Sequence, residues 1–523
     1  MPKGCVSVES RYFMSWGGMT VPSDTVRTEG VRALWQSLPS AKFTSRPNYI
    51  WYVVGTVCIG AFMAAVDASI VNVAIPDLSH FYHATATITG WVLISYLLTL
   101  ATLLTLFGRL ADMLGRRPLY TFGFVVFIIG SAACGAAPSM GFLIVARVFQ
   151  AAGAAMLQAN SVAIITATVP PNVRGRAIGF QGSAQAVGLS VGPAVGGALI
   201  GLFGWRAIFY VNVPVGIIGT IMAALILPKD KMAQAGAKAS FDWWGALLFS
   251  PALVALMMAV TIAPHIGWLS PAVIGLFVAT AALLWAFIAR EKRYKAPLVD
   301  VRLFKIPVFT MGNVTGMLSY LVMFGVLFLM PFFFERVGGF PSAVVGLLLT
   351  AVPIGMTVVS PQAGGLADRY GSRLLTTGGM AVSALGAGLL GVVIALHADL
   401  ILLIVGLLLV GVGLGMFTPP NNSSVMGALP FARLGVGGGI LNMSRSLGMA
   451  FGTAISSTLM AGFLVAYGGR LEGGPRAPWV PTMRYSLLIL AVLALVAAVL
   501  SYLKNSAAEP GQDHQKIDVP MEF

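Results

Sequence analysis

Two residues of opposite charge, Asp67 and Arg147, lie inside long apolar stretches of this sequence. Asp67 is the one acid that falls deep within an apolar stretch. Hydrocarbon surroundings disfavour the charged form of a carboxyl group, so such a residue can gain and lose a proton, as proton coupling requires. An aspartate with a purely structural role, at a helix break or in a permanent ion pair with an arginine, would look the same in the sequence. The sequence leaves these alternatives open.

Asp67 and Arg147 are predicted at similar depths. The first apolar span ends near Pro76, so Asp67 lies about 14 Å from that end at the rise of a helix. The fourth span begins near Met140 on the same side, which places Arg147 about 10 Å deep. An approaching arginine would favour the charged carboxylate again. The pair is therefore either a proton-exchange site or an ion pair that holds spans 1 and 4 together.

The elements that position these residues are predicted to be transmembrane helices. Of the 523 residues, 57% are hydrophobic and 10% are charged, against about 25% charged in soluble globular proteins. The mean hydropathy is +0.87. One span needs about 20 mostly apolar residues. The sequence predicts spans at 51–76, 89–109, 118–137, 141–166, 177–202, 206–227, 244–263, 271–289, 308–334, 343–365, 374–396, 400–424, 436–465 and 484–503.

The basic residues concentrate in every second loop. Short loops rich in Lys and Arg face the cytoplasm, so both termini are predicted to be cytoplasmic; the opposite loops are poor in basic residues, apart from Arg470 and Arg476. The polar start of the chain lacks the apolar core of a secretory signal. The predicted domains are an N-terminal tail (1–48), a six-helix bundle (49–228), two inserted helices with linkers (229–306), a second six-helix bundle (307–505) and a C-terminal tail (506–523).

Two sequence echoes at nearly the same offset indicate a duplicated six-span unit. The segment Gly108-Arg-Leu-Ala-Asp-Met-Leu-Gly-Arg-Arg-Pro-Leu119 recurs as Gly364-Gly-Leu-Ala-Asp-Arg-Tyr-Gly-Ser-Arg-Leu-Leu375. The glycine pair of span 5, Gly188 and Gly192, recurs in span 13 as Gly448 and Gly452. Spans 7 and 8 are then an insertion between the halves. Parallel repeats around a central site are a transporter architecture.

Four motifs in order carry a resemblance to a known family. They are the loop Gly108–Leu119, Ala65–Pro76 in span 1, Ala146–Gly153 in span 4 and Gly188–Gly197 in span 5. Over residues 50–505 the chain resembles the major facilitator superfamily, and within it the 14-span drug:proton antiporters of the EmrB/QacA type. One departure is Ala151, where the family motif usually has Gly. The resemblance implies an all-α integral membrane protein with two six-helix bundles plus two inserted spans.

The resemblance also implies roles for the loop and the span 5 motif. The loop and its second copy would stabilise one of two conformations and so act as a gate. The alternative is a purely structural role, in which the loop only fixes the topology. The small residues of span 5 would form an antiporter motif on a face where the two halves slide; the alternative is tight packing alone. The gating residues are Gly108, Asp112, Gly115, Arg116, Arg117, Asp368 and Arg373. The antiporter motif comprises Gly188, Gly192, Pro193, Gly196 and Gly197.

A substrate cavity needs convergent polar groups in an apolar lining. The candidates are Asn72, Tyr96, Gln158, Gln181, Gln185, Asn313, Asn421, Asn422, Asn442 and Arg445. Each amide alone is more often an interhelical hydrogen bond than a ligand contact. Arg445, in span 13, either contacts substrate or holds the interface between the halves. Some members of the resembled group carry several deep acids and use them for cationic drugs. Spans 2, 10 and 13 hold no second deep acid here, so the resemblance argues against dicationic substrates.

Together with the buried acid, the resemblance implies a proton-coupled antiporter that exports drugs or other small amphiphilic compounds by alternating access. The alternative is a dedicated exporter of one metabolite, such as a siderophore or an antibiotic. A membrane sensor or scaffold of another class would need neither duplicated halves nor a buried acid. No catalytic constellation, metal site or nucleotide motif is found, so we expect no enzyme activity and no cofactor, with the proton gradient as the energy source. A periplasmic adaptor would be a partner in a tripartite system.

Overall fold

The computed structural model describes residues 48–84, 86–228, 241–294, 297–395, 399–469 and 477–506. Within these ranges the backbone forms helices and connecting loops, and 14 helices are long and apolar enough to cross a membrane, which confirms the prediction from hydropathy. Both predicted tails lie almost entirely outside the described residues, as do Arg470 and Arg476.

The helices are numbered in chain order, and two of them are built from two pieces. Their bounds are α1 Tyr49–Phe81, α2 Ala86–Leu114, α3 Arg116–Gly135, α4 Met140–Thr168, α5 Pro171–Phe203, α6 Ala207–Tyr210 with Asn212–Ile226, α7 Trp243–Ile266, α8 Pro271–Glu291, α9 Pro307–Arg336, α10 Ser342–Leu349 with Ala351–Tyr370, α11 Arg373–Ala395, α12 Leu400–Gly427, α13 Leu434–Ala466 and α14 Trp479–Ser506.

Several helices extend beyond the apolar runs that revealed them. The helix α5 begins at Pro171, six residues before the predicted start, and includes Arg174 and Arg176. Proline is well suited to the first turn of a helix because its missing N–H would have no intrahelical acceptor there. Hydropathy marks only the apolar part of a helix, whereas the helix itself continues until a terminating residue such as glycine. Gly115 and Gly371 end α2 and α10 with φ of 96° and 84°, a region that favours glycine.

The helices pack as two six-helix halves, α1–α6 and α9–α14, with α7 and α8 as a separate pair. The first helix of each half packs on the fifth: α1 on α5, and α9 on α13. The halves meet where α2 packs on α13 and where α5 packs on α10. These two interfaces are equivalent under the internal repeat, and they bring the two copies of the loop motif to the same end of the bundle.

Candidate functional site

Asp67 and Arg147 form an ion pair in the interior of the first half. The Nη1 of Arg147 lies 2.7 Å from Oδ2 of Asp67, and both side chains are completely buried. An isolated charge at this depth would be costly, so each residue compensates the other. The structure thus brings together the two charged residues that the sequence placed at similar depth.

Three neutral side chains complete the surroundings of the Asp67 carboxylate. Gln150 Nε2 and Asn212 Nδ2 both donate to Oδ1, at 2.8 and 3.0 Å. The same two amides donate to the hydroxyl of Ser131, each at 3.1 Å. Sequence reasoning missed all three residues. Gln150 had a usable signal, because it follows Arg147 by three residues and so shares its helix face.

Tyr96 belongs to this buried cluster and does not line the central cavity. Its ring lies under the guanidinium of Arg147, with 4.0 Å between the ring centroid and Cζ. The Nε of Arg147 also donates to the backbone oxygen of Val92 at 3.3 Å. The candidate role of Tyr96 in substrate binding is therefore replaced by contact with Arg147. Which direction a helical side chain faces depends on the helix rotation, which the sequence does not reveal.

Most of the other polar candidates surround one cavity between the two halves. Its polar lining includes Gln181 and Gln185 from the first half and a larger set from the second: Asn313, Tyr320, Thr418, Asn421, Asn422, Asn442, Ser444 and Arg445. Val162, Ile178, Phe417 and Leu441 supply apolar surface. Such a mixture suits an amphiphilic ligand. The cavity volume in this conformation is only about 20 Å³, so the halves would have to separate to admit one. Tyr320, Thr418 and Ser444 were not singled out from the sequence.

Two candidates relate to this cavity differently. Gln158 does not line it but accepts a hydrogen bond from Arg445 at 2.5 Å. Asn72 lies elsewhere, exposed on α1, where its Nδ2 donates to the backbone oxygen of Ser69 at 3.4 Å. Asn72 is therefore not part of the cavity lining.

The Gly108–Leu119 loop joins the two halves through Asp112. Its carboxylate accepts from the backbone N–H groups of Gly435 and Val436, at 2.8 and 3.0 Å. Those N–H groups lie at the start of α13, where they lack intrahelical acceptors and the helix dipole favours negative charge. Arg116 donates to Asp112 at 3.1 Å and to the backbone oxygen of Phe431 at 2.8 Å.

The second copy of the loop makes the equivalent contact in the opposite direction. Asp368 accepts from the backbone N–H groups of Gly175 and Arg176, at 2.7 and 3.0 Å, near the start of α5. Ser372 replaces the arginine equivalent to Arg116. Arg373 instead packs over the ring of Tyr502, 4.1 Å from its centroid, within its own half.

The remaining gating candidates have local contacts. Arg117 donates to the backbone oxygen of Ala224 in α6 at 2.7 Å, so it holds the loop to its own half. Gly108 lies against the backbone of Gly435, and a Cβ at either position would collide with the other chain segment. Asp112, Arg116 and Asp368 form hydrogen bonds between the halves at this end of the bundle, and we call these contacts the gate.

Three glycines of the antiporter motif, Gly188, Gly192 and Gly196, pack against α1 of their own half, and the contacts of this face with the other half that the resemblance implied are not seen in this conformation. A Cβ on Gly188 would approach the backbone oxygen of Phe62 at 2.7 Å, and one on Gly196 would approach Ile70 at 2.7 Å. Gly192 lies against Ser69. The face of α5 that meets the other half carries Gly175 and Gly179 instead. Small residues permit close approach on both faces, so spacing alone could not distinguish them.

Two glycines of this motif differ sharply in their surroundings. We expect Gly188→Ala to lower the melting temperature of the purified protein, because its methyl group would approach the Cβ of Ala65 at 2.8 Å. Gly197→Ala is the matched control, since a Cβ there meets no atom within 4 Å. A thermal melt in detergent would measure both. Equal melting temperatures would contradict this account of α1 packing on α5.

Two halves related by a parallel repeat, with a polar cavity between them and a buried ion pair in one half, define a secondary transporter. A family model described as Major Facilitator Superfamily matches residues 57–452 and 312–521. The chain belongs to the Major Facilitator Superfamily, and both its family and its relatives are transporters.

The relatives include exporters of drugs and a transporter of one vitamin. The chain is 33% identical to the riboflavin transporter RibZ of Clostridioides difficile, covering 86% of this chain and 96% of the relative. It is 34% identical to the multidrug resistance protein Stp of Mycobacterium tuberculosis, covering 78% and 75%. It is 32% identical to the drug efflux pump JefA of Mycobacterium tuberculosis, covering 78% and 80%.

Solved structures share the fold at lower sequence identity. The proton:xylose symporter XylE aligns with a TM-score of 0.63 at 16% identity, covering 87% of this chain and 96% of that chain. The human organic anion transporter MFSD10 aligns with a TM-score of 0.63 at 14% identity, covering 87% and 100%. These likenesses support the fold and say nothing about substrate.

Proposed function

We propose that this protein exports small amphiphilic compounds across the cytoplasmic membrane in exchange for inward-moving protons. The observation that carries the proposal is the fully buried ion pair between Asp67 and Arg147. A buried carboxylate that releases its cationic partner on protonation can bind one proton per cycle. No cofactor is needed, because the proton gradient supplies the energy.

The cavity between the halves supports alternating access. In the described conformation the gate joins the halves at one end, through Asp112 and Asp368. Opening there would require these contacts to break, while the helices of each half move together. The basic loops lie at this end, so by the positive-inside rule we infer that it is the cytoplasmic end and that both termini are cytoplasmic. The protein would then be closed to the cytoplasm in this conformation.

In this mechanism, protonation of Asp67 from outside would weaken its attraction to Arg147 and favour opening of the gate. Substrate would enter from the cytoplasm, and loss of the proton there would restore the ion pair. The helix α5 lies between the two sites: Gln185 lines the cavity, and Gly188, one turn further on, packs against α1 beside Asp67. Its position allows α1 and the cavity to respond to each other.

A second candidate function is export of a single metabolite. The riboflavin transporter of Clostridioides difficile favours it, because the match covers 96% of that relative. The substrate range separates the two functions. A multidrug exporter would transport chemically unrelated amphiphiles, whereas a dedicated exporter would transport one compound and its close analogues.

Proton coupling can be tested in inverted membrane vesicles. We expect an amphiphilic fluorescent dye to accumulate in vesicles that hold an acidic lumen, and to leak out when an ionophore dissipates the pH gradient. Vesicles without the protein are the control. The dyes tested should include a lipophilic cation, riboflavin and an uncharged aromatic compound. Transport that merely equilibrates each compound, whatever the pH gradient, would overturn the proposal of antiport.

A further inference from the structure

One side chain, Arg445, supplies all the charge in the lining of the central cavity. It lies 11 residues into α13, about 17 Å from the gate end at helical rise. Its Nη1 donates to Gln185 Oε1 at 2.6 Å, and its Nη2 donates to Gln158 Oε1 at 2.5 Å. Its Nε is buried with no hydrogen-bond partner among the described residues.

Among the residues that the structure describes, no carboxylate forms an ion pair with Arg445. The cavity lining contains no Asp or Glu, and no ion pair is formed by Arg445 within the described part of the chain. The amides of Gln158 and Gln185 satisfy hydrogen bonds but remain neutral. A guanidinium at this depth is costly without a counter-charge. Arg147 shows the contrast, because it has Asp67.

The two amide partners of Arg445 belong to the opposite half. Gln158 is on α4 and Gln185 is on α5, whereas Arg445 is on α13. Both hydrogen bonds therefore cross the interface that must separate when the gate opens. Separation would leave the guanidinium facing the cavity, with its donors free. A guanidinium fork matches the geometry of a carboxylate, which accepts two parallel hydrogen bonds.

The rest of the lining indicates what the carboxylate would be attached to. The ring of Tyr320 lies 5.7 Å from Cζ of Arg445, and Phe417 and Leu441 add apolar surface. Gln181 and Asn422 also line the cavity, with no side-chain hydrogen bond to any other described residue. An aromatic body with a few polar substituents fits these neighbours.

We propose that this transporter selects compounds that carry a carboxylate on an apolar aromatic body, and that Arg445 is the residue that selects them. In the open gate Arg445 binds the carboxylate. When the gate closes, Arg445 again forms hydrogen bonds with Gln158 and Gln185, and the carboxylate is released toward the outside. The inference rests on the proposed export function, and it adds the charge class of the substrate and the residue that recognises it.

The test compares two dyes that differ at one group: a rhodamine with a free carboxylate and the methyl ester of the same rhodamine. The protein is reconstituted in liposomes with an imposed pH gradient, and the membrane potential is held at zero with valinomycin and equal potassium. We expect the wild type to take up the acid roughly ten-fold faster than the ester, the effect of one charge-assisted contact.

Two variants separate recognition from structure. Arg445→Gln removes the charge, and we expect the acid-to-ester ratio to fall to about one, the value without a charged contact. Gln185→Glu keeps the size of the side chain and places a carboxylate beside Arg445, so the ratio should reverse in favour of the cationic ester. This variant gains an ion pair and is expected to fold; its melting temperature checks that. Arg445→Lys should keep a weaker preference for the acid.

The uptake ratio of the two dyes tests carboxylate selection, whereas the dependence of uptake on the pH gradient tests antiport. Equal uptake of the two dyes by the wild type, or no uptake of the acid, overturns the inference. A Gln185→Glu protein that folds and still prefers the acid also overturns it. Failure of the proposed function looks different: uptake of either dye would then be independent of the pH gradient, whatever the ratio between the dyes.

Discussion

Replacing Asp67 with asparagine is expected to abolish proton-driven accumulation of substrate. Asparagine has nearly the same shape but cannot exchange a proton, so the cycle loses its coupling ion. Substrate exchange at equal pH on both sides should persist, because exchange needs the cavity and the gate but no net proton movement. The measurement is dye accumulation in reconstituted liposomes, with and without a pH gradient, beside an exchange assay.

The same substitution leaves Arg147 buried without a counter-charge. Breaking a buried ion pair from one side costs about 3–5 kcal/mol, whereas removing both charges costs much less. We therefore expect Asp67→Asn to melt at a lower temperature, and Asp67→Asn combined with Arg147→Gln to recover much of that loss. Transport should remain uncoupled in the double variant. This combination distinguishes a coupling role from a purely structural one.

Asp77 provides the matched control for Asp67. It lies ten residues further along α1 and is exposed, so Asp77→Asn changes the same chemical group outside the buried cluster. Its transport should match that of the wild type. Full gradient-driven accumulation by a folded Asp67→Asn protein would remove Asp67 from the mechanism and leave it as part of an ion pair that stabilises the first half.

Replacing both Asp112 and Asp368 with asparagine is expected to shift the protein toward the conformation with an open gate. Each carboxylate accepts two backbone N–H groups from the opposite half. Hydrogen bonds to a charged group are worth about 1.5–3 kcal/mol. Weakening even one such contact would change the ratio of closed to open gates by roughly ten-fold or more.

Spin labels can report the opening of the gate. Leu114 and Tyr370 are exposed at the gate ends of α2 and α10, one in each half. Cysteines at these two positions, in a protein whose native cysteines have been replaced, would carry the labels. Pulsed electron paramagnetic resonance should show a longer distance, or a larger population at long distance, in the double variant.

Asp399 is the control for this experiment. Its carboxylate also caps a helix, accepting from the N–H groups of Ile401 and Leu402 at 2.8 and 3.3 Å. These residues belong to the helix that Asp399 itself precedes, so Asp399→Asn removes a cap without touching the contacts between the halves. An unchanged distance distribution in the Asp112 and Asp368 variant would show that the loops fix topology alone.

The helices and the buried charges could be predicted from the sequence. Hydropathy and helix length are local properties, so fourteen spans could be read directly, with errors only at their ends. Asp67 and Arg147 stood out because charge is rare in apolar segments. The repeat of Gly108–Leu119 established two halves, since it needs only a comparison of the chain with itself.

Which neutral side chains contact each other could be learned only from the packed helices. Gln150 and Asn212 contact Asp67, and Ser131 contacts both of these amides. Each is an ordinary polar residue in the sequence and becomes notable only when four helices converge. Tyr96 and Asn72 were candidates for the cavity, yet Tyr96 packs against Arg147 and Asn72 is exposed on α1 outside the cavity lining. A hydrogen bond or a cavity wall requires atoms from distant segments at a given rotation and depth.

The glycines of α5 show the same limit. Their spacing predicted close packing, but only the packed helices revealed that Gly188 and Gly192 face α1 while Gly175 and Gly179 face the other half. Arg445 shows this limit most clearly, because its charge can be read from the sequence, whereas its hydrogen-bond partners Gln158 and Gln185 cannot. Hydropathy and charge belong to single residues, whereas helix rotation and contact result from the packing of the whole bundle.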